Sequence, residues 1–451
     1  SFPMLFRTAD SQHWALITEA GVNETFCGTR LSSAPTNGVY TIALPNPAEG
    51  NGHGSVKPSA ALPWEMPWRV IVVGSSLGTI VESTLVTDVS APSRVPDTSW
   101  IRPGRVAWSW WSDNPSPKDA AKQKQFVDLA AQMGWEYMLV DANWTIIDNG
   151  SIHDVLRYAK SKGVGVLLWY NSGGPHNVVT EKPRDCLTYP EVRKFELELL
   201  REWGVKGIKV DFFQSDKQEV MAIYQGILRD AAEQQIMVNF HGCTLPRGWE
   251  RTYPHLMSME AVRGAECYIF DPKYPENAPV QNTILPFTRN AVGPMDFTPV
   301  TFSDNHYPHL TTYGHELALS VVFETGWLHF GDKAEAYLGL PPEPKQFLKD
   351  VPVTWDETRF VEGYPGQYAI LARRKNNTWY VAGVNGQNQV RETQVQLANC
   401  LKPGSYDLTL IADGANPRSF DSAARQFDPS QALPVKMLPR GGFVAVLKSR
   451  P

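Results

Sequence analysis

Asp211 closes the run Gly207-Ile208-Lys209-Val210-Asp211, and Phe212 and Phe213 follow it. A short apolar strand that ends on a carboxylate is how a parallel α/β barrel delivers an acid to the carboxyl end of its strands, where such folds place their chemistry. A second acidic cluster, Glu260-Ala261-Val262-Arg263-Gly264-Ala265-Glu266, follows a further strand-like run, Leu256 to Met259. Two acids brought together from different strand ends are the minimum equipment for cleaving a glycosidic bond. Lys209 stands two residues before Asp211, so both side chains leave the strand on one face. An ammonium beside a carboxylate lowers its pKa and keeps it ionised, as a nucleophile must be. A structural ion pair is the alternative reading of the same spacing.

The elements that must position these residues follow a strand–helix rhythm from Arg105 onward. Strands are expected over Val106–Trp111, Glu136–Val140, Val164–Tyr170, Ile208–Phe213, Ile236–Phe240 and Leu256–Met259, with Met295–Val300 and Trp327–Phe330 as seventh and eighth. Helices are expected between them, over Lys118–Met133, Ile152–Lys162, Glu191–Trp203 and Lys217–Ala232. Continuous apolar strands alternating with helices mean a parallel sheet buried on both faces. The number of repeats favours a closed (β/α)8 barrel, and no glycine-rich phosphate fingerprint follows the first strand as an open doubly wound sheet would usually have. Residues 1–98 read as β-structure, Thr79–Val86 included, with a glycine- and proline-rich surface loop over Pro47–Pro58. The barrel is expected over 99–350. Residues 351–451 read as an antiparallel β-sandwich, with strands near Tyr368, Trp379, Glu392, Tyr406 and Gly442.

Four acids or amides fall at expected strand ends: Asp141, Asn171, Asp211 and Glu260. Any one of them can cap the following helix, but in a barrel all four converge over one pocket. His241 ends the fifth strand, and His176 lies in the loop after the third. Together with Lys209, Asp141, Asn171 and Trp111, they are candidate sugar contacts. The chain carries 15 Trp, 16 Tyr and 19 Phe, several of them near expected strand ends (Trp108, Trp110, Trp111, Trp144, Trp169). Their flat rings suit the C–H faces of sugars, although most Trp residues serve cores.

Composition bounds the remaining classes. The net charge of -5 argues against a broad nucleic-acid footprint, and no apolar run approaches the ~20 residues of a membrane span. Five cysteines, without a CxxC pair, indicate neither a disulfide framework nor a zinc site. The sequence starts at Ser1 without a targeting segment, as a fragment or processed chain would.

At these motifs the chain resembles glycoside hydrolase family 97. The matching stretches are Ile17-Thr18-Glu19-Ala20, Pro67 to Ile71, Pro103 to Asp113, Lys209 to Phe212, Asn239-Phe240-His241-Gly242, Arg251 to Pro254, Glu260 to Glu266, and Arg289 to Asp296. The resemblance implies an N-terminal β-super-sandwich of which only the end is expected here, then a (β/α)8 barrel and a C-terminal β-sandwich. The family's inverting branch places carboxylate bases at the ends of the third and fifth strands, where this chain has Asn171 and His241. Its retaining branch carries an aspartate nucleophile at the end of the fourth strand, which maps onto Asp211. The acid/base glutamate maps onto Glu266. The two carboxyl groups are then expected about 5–5.5 Å apart.

The resemblance further implies a calcium ion near Glu19, Glu260 and Glu266. Calcium bound directly to Glu266 would oppose its service as an acid, so either the contact is indirect or Glu266 uses its free oxygen. The segment Asp141-Ala142-Asn143-Trp144 departs from the Asp-Glu-Gly-Trp of many members. The expected activity is that of a retaining exo-α-glycosidase acting on a small glycoside or oligosaccharide, foremost an α-galactosidase. β-L-arabinopyranosidase and α-glucosidase are the alternatives within the family, and a catalytically silent carbohydrate-binding barrel is the alternative outside enzymes. The resemblance also implies a bacterial protein of the periplasm or exterior.

Overall fold

The computed structural model describes residues 1–450. Its centre is a parallel sheet of seven strands: Gly104–Trp108, Tyr137–Val140, Gly165–Asn171, Gly207–Asp211, Met237–Phe240, Leu256–Met259 and Trp327–Phe330. Consecutive strands pair in parallel, and the last pairs back onto the first through Trp327 opposite Gly104. All but one of the residues in these strands from Tyr137 to Met259 are buried, the exception being Gly165. Both faces are therefore covered, by the barrel interior on one side and helices on the other.

The expected seventh strand is the exception. Only Met295 pairs there, as a single parallel bridge to Met259. Thr298 and Val300 have φ values of +54° and +68°, which an extended strand does not allow, so the chain turns away after Phe297. The gap is closed by isolated hydrogen bonds, Met295 N to Glu324 O (2.8 Å) and Gly326 N to Met257 O (2.9 Å). The barrel is nearly closed, with the eighth place filled by Trp327–Phe330 as expected.

The N-terminal part contributes an antiparallel sheet of Met4–Arg7, Trp14–Ala20 and Trp68–Gly74. Thr79–Val86, expected to be extended, forms two short helices instead, Leu77–Val81 and Leu85–Asp88. The reason is legible afterwards: Leu77, Ile80, Val81 and Leu85 recur at helical spacing, and the buried Leu77, Ile80 and Val86 face inward. The loop over 47–58 lies largely exposed, as expected, but it is anchored. The Lys217 ammonium, fully buried at the barrel rim, donates to the carbonyls of Pro47, Glu49 and His53, each at 2.9 Å.

The C-terminal part is a six-stranded antiparallel sheet in the order Glu357–Tyr364, Tyr368–Lys375, Thr378–Asn385, Gly442–Ser449, Tyr406–Asp413, Phe420–Phe427. A two-stranded sheet, Arg391–Val395 with Leu433–Met437, covers one face of it. Val395, Leu433 and Met437 pack there against Ile370, Val381 and Leu447. The helix Tyr313–Val322 packs on the same large sheet and ties it to the barrel.

A cleft of about 540 Å3 lies where the three parts meet, lined among others by Glu82, Glu250, Asn290, Glu324, Trp355 and Arg373. Burial, with a smaller push from Glu324, raises the Glu250 carboxyl to about 7. Its Oε2 is buried without a hydrogen-bond partner. Because the folded value lies above the ordinary one, the folded state binds the proton more tightly. That contribution is full below about pH 4.5 and is lost as pH rises through about 7. Glu250→Gln is thus expected to gain stability over the parent above pH 7, on the order of 2 kcal/mol, and to lose that advantage at pH 5. Thermal melts of both proteins at pH 5 and pH 8 check this; a difference that does not change with pH contradicts it.

Candidate active site

The carboxyl ends of the barrel strands surround a cavity of about 710 Å3, within the range that holds a drug-sized ligand. Asp141, Lys209, Asp211, Glu260 and Glu266 all line it, as do Trp110, Trp169, Phe212 and Phe270. Sequence reasoning placed these five charged residues in one pocket, and the strand ends bring them there.

Asp211 is the last residue of the fourth strand. Its Oδ1 accepts from the backbone of Phe212 (2.7 Å) and its Oδ2 from the Trp169 indole (3.3 Å). Phe212 adopts φ +68°, unusual for a bulky residue, so strain is stored directly after the carboxylate. Across the carboxylate lies Gly242, at φ +49°. A Cβ there would sit 2.7 Å from Asp211 Oδ1 and 2.8 Å from Phe212 N, so only glycine leaves the acid its position.

Lys209 points into the same cavity, but its hydrogen bonds do not go to Asp211. Its ammonium donates to Asp141 Oδ2 (3.2 Å) and Glu266 Oε1 (3.4 Å), and it lies 4.4 Å over the ring of Trp108. Sharing a strand face did not make Lys209 and Asp211 a bonded pair, because Asp141 and Glu266 reach the ammonium first. The charge consequences follow. Burial raises the Asp211 carboxyl above its ordinary value and outweighs the opposing pull of His241 and Lys209. Burial also pushes Glu266 up, but Lys209 and then His241 overcome it and hold Glu266 down at about 2. Burial raises Glu260 to about 7 against the pull of His241. Burial thus pushes Asp211 up while Lys209 and His241 hold Glu266 down, the reverse of the expected depression of Asp211.

Asp141 is buried and spoken for: Oδ2 also accepts from the Trp108 indole (2.8 Å), and Oδ1 from the backbone of Ala142 (2.7 Å). Three further candidate contacts are not brought into the cavity. Asn171 donates to the carbonyls of Val179 and Glu181, and its oxygen accepts from Gly173 N and Asn177. His176 is buried with Nε2 at 2.9 Å from Ser172 Oγ. Trp111 is buried and donates to Ala265 O (2.9 Å), which braces the segment that carries Glu266. These residues build the walls behind the site and do not line the cavity; Asn171 and Trp111 spend their polar atoms on protein, and His176 keeps a buried Nδ1 without a partner.

His241 is buried at the edge of the cluster. Nε2 lies 2.6 Å from Asp296 Oδ2, while Nδ1 has no well-formed hydrogen bond and faces Glu266 Oε1 (3.5 Å) and Glu260 Oε1 (3.6 Å). Asp296 also holds Asn239 (2.6 Å) and His329 (3.0 Å). Asp296 and His329 were absent from the sequence-derived site because neither ends an expected strand: Asp296 lies within Met295–Val300 and His329 within Trp327–Phe330. One donor atom each from His241, Glu260 and Glu266 lies within 4.8 Å of the others. An orphaned imidazole nitrogen aimed at two carboxylates fits a divalent cation. Two oxygens and a nitrogen supply less than calcium's usual six to eight oxygens, so water or substrate would complete the shell.

Glu19 does not join that group. Its carboxylate is fully buried and accepts from Arg247 Nε (2.8 Å), Arg69 Nη1 (2.6 Å), Thr29 N (3.0 Å) and the Thr29 hydroxyl. The positive charge expected from a metal is supplied there by the buried guanidinium of Arg247, so the expected three-glutamate shell is not formed.

A near-closed parallel barrel with a cluster of strand-end acids, flanked by antiparallel sheets, is the frame of a glycoside hydrolase. Family models described as Glycosyl-hydrolase 97 N-terminal, Glycoside hydrolase 97 and Glycosyl-hydrolase 97 C-terminal, oligomerisation match residues 1–92, 100–262 and 354–448. The chain belongs to glycoside hydrolase family 97. It is 35% identical over 456 residues to a probable retaining alpha-galactosidase of Streptomyces bingchenggensis, covering 98% of this chain and 66% of that protein. It is 30% identical over 422 residues to a retaining alpha-galactosidase of Bacteroides thetaiotaomicron, covering 86% of this chain and 60% of that one. The chain thus spans 66% and 60% of the length of these two curated relatives. The crystal structure of a beta-arabinopyranosidase superposes with a TM-score of 0.93 at 36% identity, covering 99% of this chain and 71% of that one. No helix among the described residues is long and apolar enough to cross a membrane.

Proposed function

We propose that this protein is a retaining exo-α-glycosidase, foremost an α-galactosidase, with Asp211 as nucleophile and Glu266 as acid/base. The observation that carries the reading is the convergence of Asp211, Lys209 and Glu266 on one cavity, with no carboxylate at the ends of the third and fifth strands. Asp211 attacks the anomeric carbon while Glu266 protonates the leaving oxygen, and a glycosyl ester forms. Glu266 then takes a proton from water, whose oxygen displaces Asp211 from the sugar with overall retention. Attack needs an ionised Asp211 and a protonated Glu266, whereas in the free site burial raises the Asp211 carboxyl and Lys209 holds Glu266 down. Sugar hydroxyls that compete for the Lys209 ammonium release its hold on Glu266 and raise its pKa toward that of an acid.

A galactoside and a β-L-arabinopyranoside differ at this site by one hydroxymethyl group, worth only a few kcal/mol of discrimination. The names of the two curated relatives support the first; the likeness to the beta-arabinopyranosidase structure supports the second as the close rival. Turnover of paired p-nitrophenyl α-galactoside and β-L-arabinopyranoside, with NMR detection of the first-formed anomer, tests both readings. The α-galactose anomer formed first supports the proposal; its β-anomer formed first overturns it.

By resemblance the divalent cation is calcium, held by Glu260, Glu266 and His241 Nδ1. Bound there, it would supply positive charge beside the leaving oxygen. Chelation is expected to lower both turnover and melting temperature, and calcium to restore them, with about one ion per chain by elemental analysis. A protein that keeps its melting temperature and holds no ion contradicts the site.

A further inference from the structure

Glu266 begins the short helix Cys267–Phe270, and Phe270 stands four residues further on, over the mouth of the same cavity. Its ring is 62% exposed. The backbone that carries it is not loose. Arg263 pairs with Asp271, the Arg263 carbonyl accepts from Tyr274 (2.9 Å) and Gln281 (2.8 Å), and Ile269 O lies 3.1 Å from His306 Nδ1. An aromatic ring left in water on a braced segment at the rim of a polar pocket is free to meet a ligand that enters it.

The ring has company. Phe270 lies 6.0 Å from Trp110 at 43°, and Trp110 stacks on Trp108 at 5.7 Å and 18°. Trp108 in turn donates to Asp141 at the cavity floor. An aromatic wall therefore runs from the floor, where Lys209 and Asp211 act, to the rim beside Glu266. Also lining the cavity, Lys118 and Glu181 form no ion pair among the described residues and keep a donor and an acceptor free. At about 710 Å3 the cavity has room for more than one pyranose ring.

We propose that Trp110 and Phe270 form the leaving-group subsite and bind the apolar face of a pyranose ring, with Lys118 and Glu181 taking its hydroxyls. The substrate class is then an α-linked oligosaccharide rather than a glycoside with a small aglycone. This rests on the function proposed above: if Glu266 protonates the leaving oxygen, the departing group must lie on the side where Phe270 stands. Ring-on-ring contact of this kind rewards a flat partner and is lost with a small one.

The test compares an α-galactosyl disaccharide with α-galactosyl fluoride, whose leaving group touches no subsite wall. In the parent protein both are hydrolysed. Phe270→Ala is expected to lower the ratio of kcat/KM for disaccharide over fluoride by about five- to tenfold, the size of one aromatic contact. Phe270→Tyr is expected to restore most of it. An unchanged ratio in Phe270→Ala, with fluoride turnover present, overturns the subsite and leaves the function standing. Absence of fluoride turnover in the parent protein overturns the function, and the subsite with it.

Discussion

Asp211→Ala is expected to lower kcat/KM on an aryl α-galactoside by about 10^4-fold, the scale on which a covalent nucleophile is missed. The fold should not suffer. Asp211 accepts only from its own neighbour Phe212 and from Trp169, and burial already works against its charge. The shortened side chain leaves a gap in front of the anomeric carbon. Azide should enter it, restore part of the turnover and yield the β-glycosyl azide, because it attacks from the face that Asp211 vacated. Turnover close to that of the parent protein, or recovery without glycosyl azide, contradicts the assignment of Asp211.

The second large effect is on stability. Arg247→Met is expected to destabilise the protein by about 3–5 kcal/mol, because it strands the Glu19 carboxylate in a fully buried position. Arg69 remains beside Glu19 at 2.6 Å, but it is one-third exposed and answers only one of the oxygens. The pair also joins two parts of the chain: Glu19 belongs to the N-terminal sheet and Arg247 to the barrel. The double change Glu19→Gln with Arg247→Met should recover part of the loss, since neither charge is then left alone. Denaturant unfolding of the single and double variants checks this. A loss below about 1 kcal/mol for Arg247→Met contradicts a buried pair that holds the two parts together.

Much of this architecture is legible in the sequence. Seven of the eight barrel strands stand within a few residues of their expected bounds, because a parallel strand buried on both faces must be apolar throughout, and few other elements look like that. Asp141, Asp211 and Glu260 were found for the same reason, since each ends such a run. What the sequence hid depends on distance and on direction. Glu19 and Arg247 lie 228 residues apart, and nothing local marks either as half of a pair. Lys217 looks like an ordinary helix-start lysine until three carbonyls of the 47–53 loop close around it. Asn171 and His176 have the residue types of sugar contacts, but their side chains turn into the wall, which no spacing rule predicts. Asp296 lies inside Met295–Val300, expected as a strand but joined only by the Met295 bridge, and not at a strand end, so its hold on His241 and His329 went unseen.

The charge pattern was the least legible part. Lys209 and Asp211 share a face, and that much follows from strand geometry. Which carboxylate the ammonium prefers depends on where Asp141 and Glu266 come to rest, 68 residues before it and 57 after. The result is a site in which Lys209 holds down the acid/base candidate Glu266 rather than Asp211. On this account, the substrate is a partner in its own activation: it must loosen Lys209 from Glu266 before the acid can be charged.

The decisive measurement is mass spectrometry of the protein after reaction with a fluorinated galactosyl donor that slows breakdown of the glycosyl ester. The account predicts one added sugar per chain, carried by the peptide that contains Asp211. An adduct on Glu260, Glu266 or any other side chain, or turnover of the donor with inversion and no adduct at all, would contradict it.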